Sequence, residues 1–253
     1  MPSLGQHGTA TAFASAITSA AVTTQNGSTF LVYGESGSIT SVSDSKGNSY
    51  GLKKTISGAG GAVLNVYECL NGVGGAGHTF TVNYSGSANR RMFFLEVVPS
   101  SGSLTADVNT SLADTSSPFT ITSGTLADAA ELAVLIAVSD TATSSLSISD
   151  YNESTGFTVD DFETDASARY GVFGAHKSIT GTGSFTPSWT CTGGSTAVSI
   201  LATYYESGSA GTTYTETSGD AVADVTDDFL SAVYKPWQDA AGIKASIVRR
   251  LDS

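Results

Sequence analysis

The sequence contains few charged residues, and basic residues are especially scarce. Lys and Arg together number 11 against 23 Asp and Glu in 253 residues, so that 13% of the chain is charged and its formal net charge at pH 7 is −12. Proteins that bind along a phosphate backbone concentrate cations, because binding releases counterions. We therefore expect no nucleic-acid partner. The low charge also excludes long charged helices and coiled coils.

Cysteine is almost absent as well. Cys69 and Cys191 are the only two, far apart in the chain, and this spacing fits neither a zinc knuckle nor the disulfide framework of a small secreted domain. We expect two unpaired, partly buried thiols first, with a disulfide or surface thiols as the alternatives.

Long apolar runs are missing too. No stretch of 18 apolar residues occurs, and Thr11, Ser15, Thr18 and Ser19 interrupt the mildly apolar beginning of the chain. We therefore expect no signal peptide and no membrane span in this sequence, and no membrane as a partner.

Catalytic and metal-binding motifs do not occur either. The sequence has no Gly-x-Ser-x-Gly, His-x-x-x-His, Cys-x-x-Cys or EF-hand pattern, which excludes the commonest hydrolase, zinc and calcium-sensor signatures. His7, His78 and His176 have no orienting partner at a meaningful spacing, so we expect solvated or structural histidines. We predict no enzymatic activity and no cofactor.

Three weaker site hypotheses stay open beside this one. Glu68 and Glu96 are the best available carboxylate pair for glycoside hydrolysis. A loop of alternating carboxylates would suit calcium, although a solvated acidic strand edge is the simpler interpretation. Several aromatic residues would suit a sugar-binding platform, although core positions are the simpler interpretation. The carboxylates are Asp160, Asp161, Glu163 and Asp165, and the aromatic residues are Tyr50, Tyr67, Trp189, Tyr204 and Tyr205.

Hydroxyl residues and glycine are abundant instead. The chain has 38 Ser, 33 Thr and 28 Gly, yet its apolar content of 40% is enough for a folded core. Runs such as Phe30-Leu31-Val32-Tyr33 and the alternating Thr79–Tyr84 lie between glycine-rich turns, which is typical of β-strands. The sequence therefore predicts an all-β fold.

The strand pattern is repeated at an offset of about 104 to 106 residues. Ile17-Thr18-Ser19 matches Ile121-Thr122-Ser123, and Val66-Tyr67 matches Val172-Phe173. Met92, Phe94 and Val98 fall opposite Val198, Ile200 and Tyr204. A repeat of this length suits an antiparallel sandwich. We predict two tandem antiparallel β-sandwich domains, Ig-like or jelly-roll-like, at residues 8–105 and 107–206.

The last part of the chain, 207–253, has a different character. A flexible Ser/Gly linker precedes apolar residues spaced three or four apart, with Pro236 between two predicted short helices. The apolar stripe is too small to fold alone, so it must pack on the sandwiches or on another chain. We predict that this linker and C-terminal docking segment contacts a partner. The residues predicted to bind the partner are Phe229, Leu230, Val233, Tyr234, Trp237, Ile243, Lys244, Ile247, Arg249 and Arg250.

The turn Asp44-Ser45-Lys46-Gly47-Asn48-Ser49-Tyr50 and the strands after it carry a resemblance. With Leu64–Cys69, Thr79–Val82 and Phe94–Val97, it resembles a duplicated β-sandwich module of bacterial surface proteins and of tailed-bacteriophage virion proteins. The resemblance implies a virion structural protein assembled in the host cytoplasm, either a capsid decoration (cement) protein or a head or tail accessory component. It implies other virion proteins and further copies of this chain as partners. A carbohydrate- or host-receptor-binding module is the alternative.

Overall fold

The described part of the chain consists of strands and turns. The structure is a computed structural model, and it describes residues 1–35, 39–58, 63–114, 117–141, 151–153, 156–164, 170–191 and 194–207. Sixteen strands lie within these ranges, which confirms the predicted all-β class. They are β1 (Ser3–Thr18), β2 (Val22–Thr24), β3 (Ser28–Glu35), β4 (Ile39–Asp44), β5 (Gly51–Ser57), β6 (Val63–Gly72), β7 (Gly75–His78), β8 (Phe80–Val98), β9 (Ser103–Asp114), β10 (Phe119–Thr120), β11 (Ala130–Thr141), β12 (Tyr151–Glu153), β13 (Thr158–Thr164), β14 (Tyr170–Thr180), β15 (Ser188–Cys191) and β16 (Gly194–Ser207).

Two large antiparallel sheets form the centre of the fold. The first has the order β1-β8-β3-β6-β5, with β4 also paired to β8, and the second has the order β13-β14-β11-β16-β9. Two small sheets accompany them, β2-β7 in the first half of the chain and β10-β15-β12 in the second. Read from the opposite end, the second large sheet has the same strand order as the first. Each half of the sequence thus builds one large sheet with the same topology.

Backbone contacts at the start of each repeat also recur. Ser19 N donates to Phe80 O at 2.9 Å, and Ser19 Oγ accepts from Phe80 N at 3.0 Å. Ser123 makes the same two bonds with Phe185, at 2.9 and 3.0 Å. Neighbouring pairs of threonine hydroxyls repeat as well: Thr18 with Thr81, and Thr122 with Thr186. The strand order and these contacts agree with the internal repeat seen in the sequence.

The two large sheets pack face to face and share one core. The middle of three apolar clusters contains side chains of both sheets, including Leu31 and Leu95 from the first and Ile136 and Ile200 from the second. A second cluster covers the outer face of the first sheet, and a third covers the outer face of the second sheet. Both faces of the central strands are therefore buried. This explains why Leu132–Val138 is apolar without alternation and has no exposed surface.

Side-chain facing corrects the predicted alignment of β8 with β16 by one residue, whereas the Val66–Val172 match stands, since both residues belong to the shared cluster. Met92 and Phe94 belong to the outer cluster of the first half, whereas Val198 and Ile200 belong to the shared cluster. The residues of β8 that face the shared cluster are Phe93, Leu95 and Val97, which match β16 at an offset of 105. A shift of one residue reverses the face of every side chain in a strand.

Residues Met1–Ala210 form one compact unit that contains all sixteen strands. Ser207, placed in the linker by the sequence, is the last residue of β16 and pairs with Ser103. The division at 105–107 into two sandwich domains stays a prediction. The predicted short helices lie outside the described residues. No helix in the described ranges is long and apolar enough to cross a membrane.

Neither cysteine forms a disulfide and both thiols are buried, in agreement with the first expectation. Cys69 is 7% exposed and Cys191 is 3% exposed. Burial raises the pKa of the Cys69 thiol, and the charges of Asp44 and Glu68 act in the same direction.

We expect neither cysteine of the native chain to react readily with a water-soluble disulfide reagent, because the reactive species is the thiolate and both thiols are shielded. Urea-unfolded protein should react promptly and release two equivalents of the reagent's thiol leaving group. The intact mass without reductant should correspond to a chain with no disulfide. Fast labelling of the native chain would contradict this assignment.

Candidate functional site

The ten residues predicted to bind a partner, Phe229 to Arg250, all lie outside the described residues. Their role stays a prediction. Several polar clusters lie within residues 1–207.

The most specific sequence motif, at Asp44–Tyr50, builds a buried polar network. Asp44 Oδ1 accepts hydrogen bonds from the backbone N–H groups of Lys46 and Asn48, at 2.9 and 3.1 Å. Asp44 Oδ2 accepts from Asn48 Nδ2 at 2.7 Å and from the Tyr50 hydroxyl at 2.8 Å. Gly47 has a φ of 76°, a conformation that favours glycine. The motif is thus a turn after β4 that is stabilised by hydrogen bonds among its own residues.

His78 completes this Asp44 network from β7. Its Nε2 lies 3.0 Å from Asp44 Oδ2, and its Nδ1 lies 2.7 Å from the hydroxyl of Thr24. A threonine, a histidine and an aspartate in contact resemble a catalytic triad in composition. However, the side chains of His78 and Asp44 have no exposed surface, and Thr24 is 4% exposed. Since a substrate has no access to any of the three groups, the network has a structural role, which confirms the structural interpretation of His78.

The two carboxylates considered for glycoside hydrolysis do not form a pair. Glu68 lies opposite Leu31 in the sheet, whereas Glu96 lies opposite Phe30, so the two side chains point to opposite faces. Glu68 Oε1 contacts Lys53 Nζ and the Tyr204 hydroxyl, each at 2.6 Å. The hypothesis of a Glu68–Glu96 pair is therefore wrong.

Glu96 is 1% exposed and has a full set of donors. It accepts hydrogen bonds from the backbone N–H groups of Gln6 and Gln25 and from the Ser28 hydroxyl, at 2.9, 2.7 and 2.7 Å. This carboxylate joins the start of β1, the β2–β3 turn and β3, and its function is structural.

The aromatic residues do not make a common surface. Trp189 is 1% exposed and Tyr204 has no exposed surface. The Trp189 ring lies against Phe119 and Phe173, with centroid distances of 4.5 and 4.9 Å. Tyr50 belongs to the Asp44 network. Trp189 and Tyr204 therefore cannot contribute to a sugar-binding platform. For these two residues the core interpretation is confirmed.

A cluster of histidines and carboxylates lies where β1 meets β13. His7 Nδ1 is 2.6 Å from Asp161 Oδ2, and the Thr9 hydroxyl donates to Glu163 at 3.0 Å. His176 Nδ1 is 2.7 Å from Asp160 Oδ1. Burial raises the pKa of Asp160, and the neighbouring charges of His176 and His7 act in the opposite direction. We call these groups the seam cluster, because they connect the edges of the two large sheets.

The seam cluster contains three of the four carboxylates of the weaker calcium hypothesis. β13 is an edge strand, as the simpler interpretation had it, but its carboxylates pair with His7, Thr9 and His176 and are not freely solvated. In the described ranges, no group of three or more His, Cys, Asp or Glu side chains has a geometry that would hold a metal ion. Asp165 lies outside those ranges.

Sequence reasoning missed the partners of these groups. Two of the three pairs in the seam cluster, His7–Asp161 and Thr9–Glu163, join residues 154 positions apart, and His78 is 34 positions from Asp44. Comparison with family models, with curated proteins and with solved structures found no match.

Proposed function

We propose that the chain is a non-enzymatic structural protein of a virion, a capsid decoration protein or a head or tail accessory component, that docks through its C-terminal segment. The observation that carries the proposal is the division of the chain. An all-β body ends with β16 at Ser207, and the sequence beyond it contains the apolar stripe and 4 of the 11 basic residues.

The described polar groups support a structural role for the body. The Asp44 network, Glu96 and the seam cluster each connect strands or turns to one another. Their His, Asp and Glu side chains are of the types that catalysis would use, and each makes hydrogen bonds or ion pairs within the fold. A body held together in this way suits display at the outside of a particle.

Basic residues are denser in the C-terminal segment than in the body. Residues 1–206 carry 7 basic and 16 acidic groups, a net charge of −9, whereas 207–253 carry 4 and 7, a net charge of −3. An acidic body stays soluble and avoids nucleic acid. On a symmetric lattice, many weak docking contacts of the C-terminal segment would add to a high avidity.

Deletion of residues 211–253 tests the proposal, since Met1–Ala210 is a compact unit by itself. We expect the shortened chain to keep the melting temperature of the body and to lose incorporation into particles. Substituting Val233 and Trp237 by serine in the full chain should have the same effect. The matched control replaces Ser231 and Gln238 of the same segment by alanine and should incorporate normally. Normal incorporation of the shortened chain would contradict the docking role.

A further inference from the structure

We propose that two copies of this chain associate through the outer edge of β1, so that the two β1 strands pair antiparallel around a two-fold axis. This inference does not depend on a virion role, and it names a surface different from the C-terminal segment.

The outer edge of β1 has no strand partner among the described residues. β1 is the terminal strand of the first large sheet and is paired to β8 alone. It meets β13 through the side chains of His7 and Thr9. Further along the strand, Thr11, Ala12 and Phe13 are exposed, and Phe13 is 74% exposed. A row of backbone donors and acceptors beside an exposed aromatic ring is a template for strand addition.

β1 also lacks the charges that protect the other terminal strands of the two large sheets. Ser3–Thr18 contains no Asp, Glu, Lys, Arg or Pro. Charged side chains on an edge strand prevent pairing with another chain. The other edges carry such residues: Lys53 and Lys54 on β5, Asp107 on β9, and Asp160, Asp161 and Glu163 on β13.

The sequence of β1 suits a second copy of itself. Its regular stretch, His7–Ala14, lies between irregularities at Leu4–His7 and Ala14–Ala16, and the midpoint falls between Ala10 and Thr11. An axis at Thr11 places Thr9 opposite Phe13 of the other copy, and Ala10 opposite Ala12. An aromatic ring opposite a β-branched residue is a favourable cross-strand pair. The same operation on β13 or β5 would place like charges together.

The overall charge also favours a second copy of this chain as the partner of β1. With a net charge of −9, the body formed by residues 1–206 attracts a basic partner to its acidic surfaces and not to an uncharged strip. Two copies repel each other, so they associate best where neither carries charge. β1 is that place among the terminal strands of the large sheets.

The test measures the mass of the purified full chain by sedimentation velocity and native mass spectrometry over a range of micromolar concentrations. We expect wild type at twice 25.7 kDa. Thr11→Lys and Thr11→Asp should each be monomeric, because each opposes like charges at the axis. A mixture of the two variants should recover a heterodimer, since the opposed charges then attract.

The control is Ala113→Lys on β9, an exposed position on the corresponding strand of the second half, which should leave the dimer intact. Phe13→Lys provides a second disruptive variant at an exposed site, and the melting temperature checks the fold of each. A monomeric wild type would overturn the proposal, whether the edge is free or covered by another part of the chain. So would a dimeric Thr11→Lys variant, or a mixture that stays monomeric.

Discussion

Substitution of Trp189 by alanine is expected to lower the free energy of unfolding by about 4 kcal/mol, the range typical of large aromatic residues in a core. The Trp189 ring is 1% exposed, packs against Phe119 and Phe173, and donates through Nε1 to the Ser199 hydroxyl at 3.3 Å. Removing it leaves a cavity between the small sheet of β15 and the second large sheet, and it leaves Ser199 without that donor. Equilibrium unfolding in urea measures the effect.

Leu52→Ala is the control for this substitution. Leu52 is 56% exposed on β5, so its truncation should change the stability by no more than about 0.5 kcal/mol. If Trp189→Ala instead kept the stability of wild type and abolished binding on a glycan array, the buried assignment would be wrong. The sugar-binding alternative would then replace the structural one.

Substitution of Asp44 by alanine should lower the free energy of unfolding by about 3 kcal/mol. It removes the acceptor of a buried hydrogen-bonded network and leaves the donors of that network unsatisfied. The carboxylate accepts from Asn48 and Tyr50 and contacts His78 inside the fold. Urea unfolding measures the loss, and Asp128→Ala, which removes an acceptor of one backbone N–H in a partly buried turn, should cost clearly less.

The same network predicts how stability depends on pH. Burial raises the pKa of Asp44, but hydrogen bonds from Asn48, Tyr50 and His78 outweigh burial, and the net pKa lies below its usual value. A lowered pKa contributes stability above the unfolded-state value of about 3.9 and loses it as the pH falls further. The difference in unfolding free energy between wild type and Asp44→Asn should therefore shrink below about pH 4.

Glu206 also titrates in this pH range, but it does not affect the comparison. Bonds from Ser100 and Ser101 and the charge of the N-terminus lower its pKa despite burial. Because Glu206 is present in both proteins, its contribution cancels in the comparison. A difference that stays constant from pH 6 to pH 3 would contradict the role given to Asp44.

Local sequence features predicted the class of fold and several buried positions. Alternation and β-branched residues indicated the strands, and the unbroken apolar run at Leu132–Val138 reflects a strand buried on both faces. The turn at Asp44 was recognisable because its residues are adjacent in the chain. The two thiols followed from the tendency of free cysteine to be buried.

Contacts between distant strands could not be read in this way. Periodicity of two shows that side chains alternate but not which layer each face meets, and the predicted alignment of β8 with β16 is therefore one residue off. The pairing of His7 with Asp161 depends on how two sheets stack, which no local pattern records. The open edge of β1 is visible only when the order of the strands is known.

The copy number of this chain in purified particles tests the central proposal most directly. Quantitative mass spectrometry, with isotope-labelled peptides from the body as standards, would compare it with the major shell protein of density-purified virions. A decoration protein should occur in many copies, at a fixed ratio to that shell protein, and a head or tail accessory component at a smaller fixed number. Absence of the chain from purified particles would contradict the account.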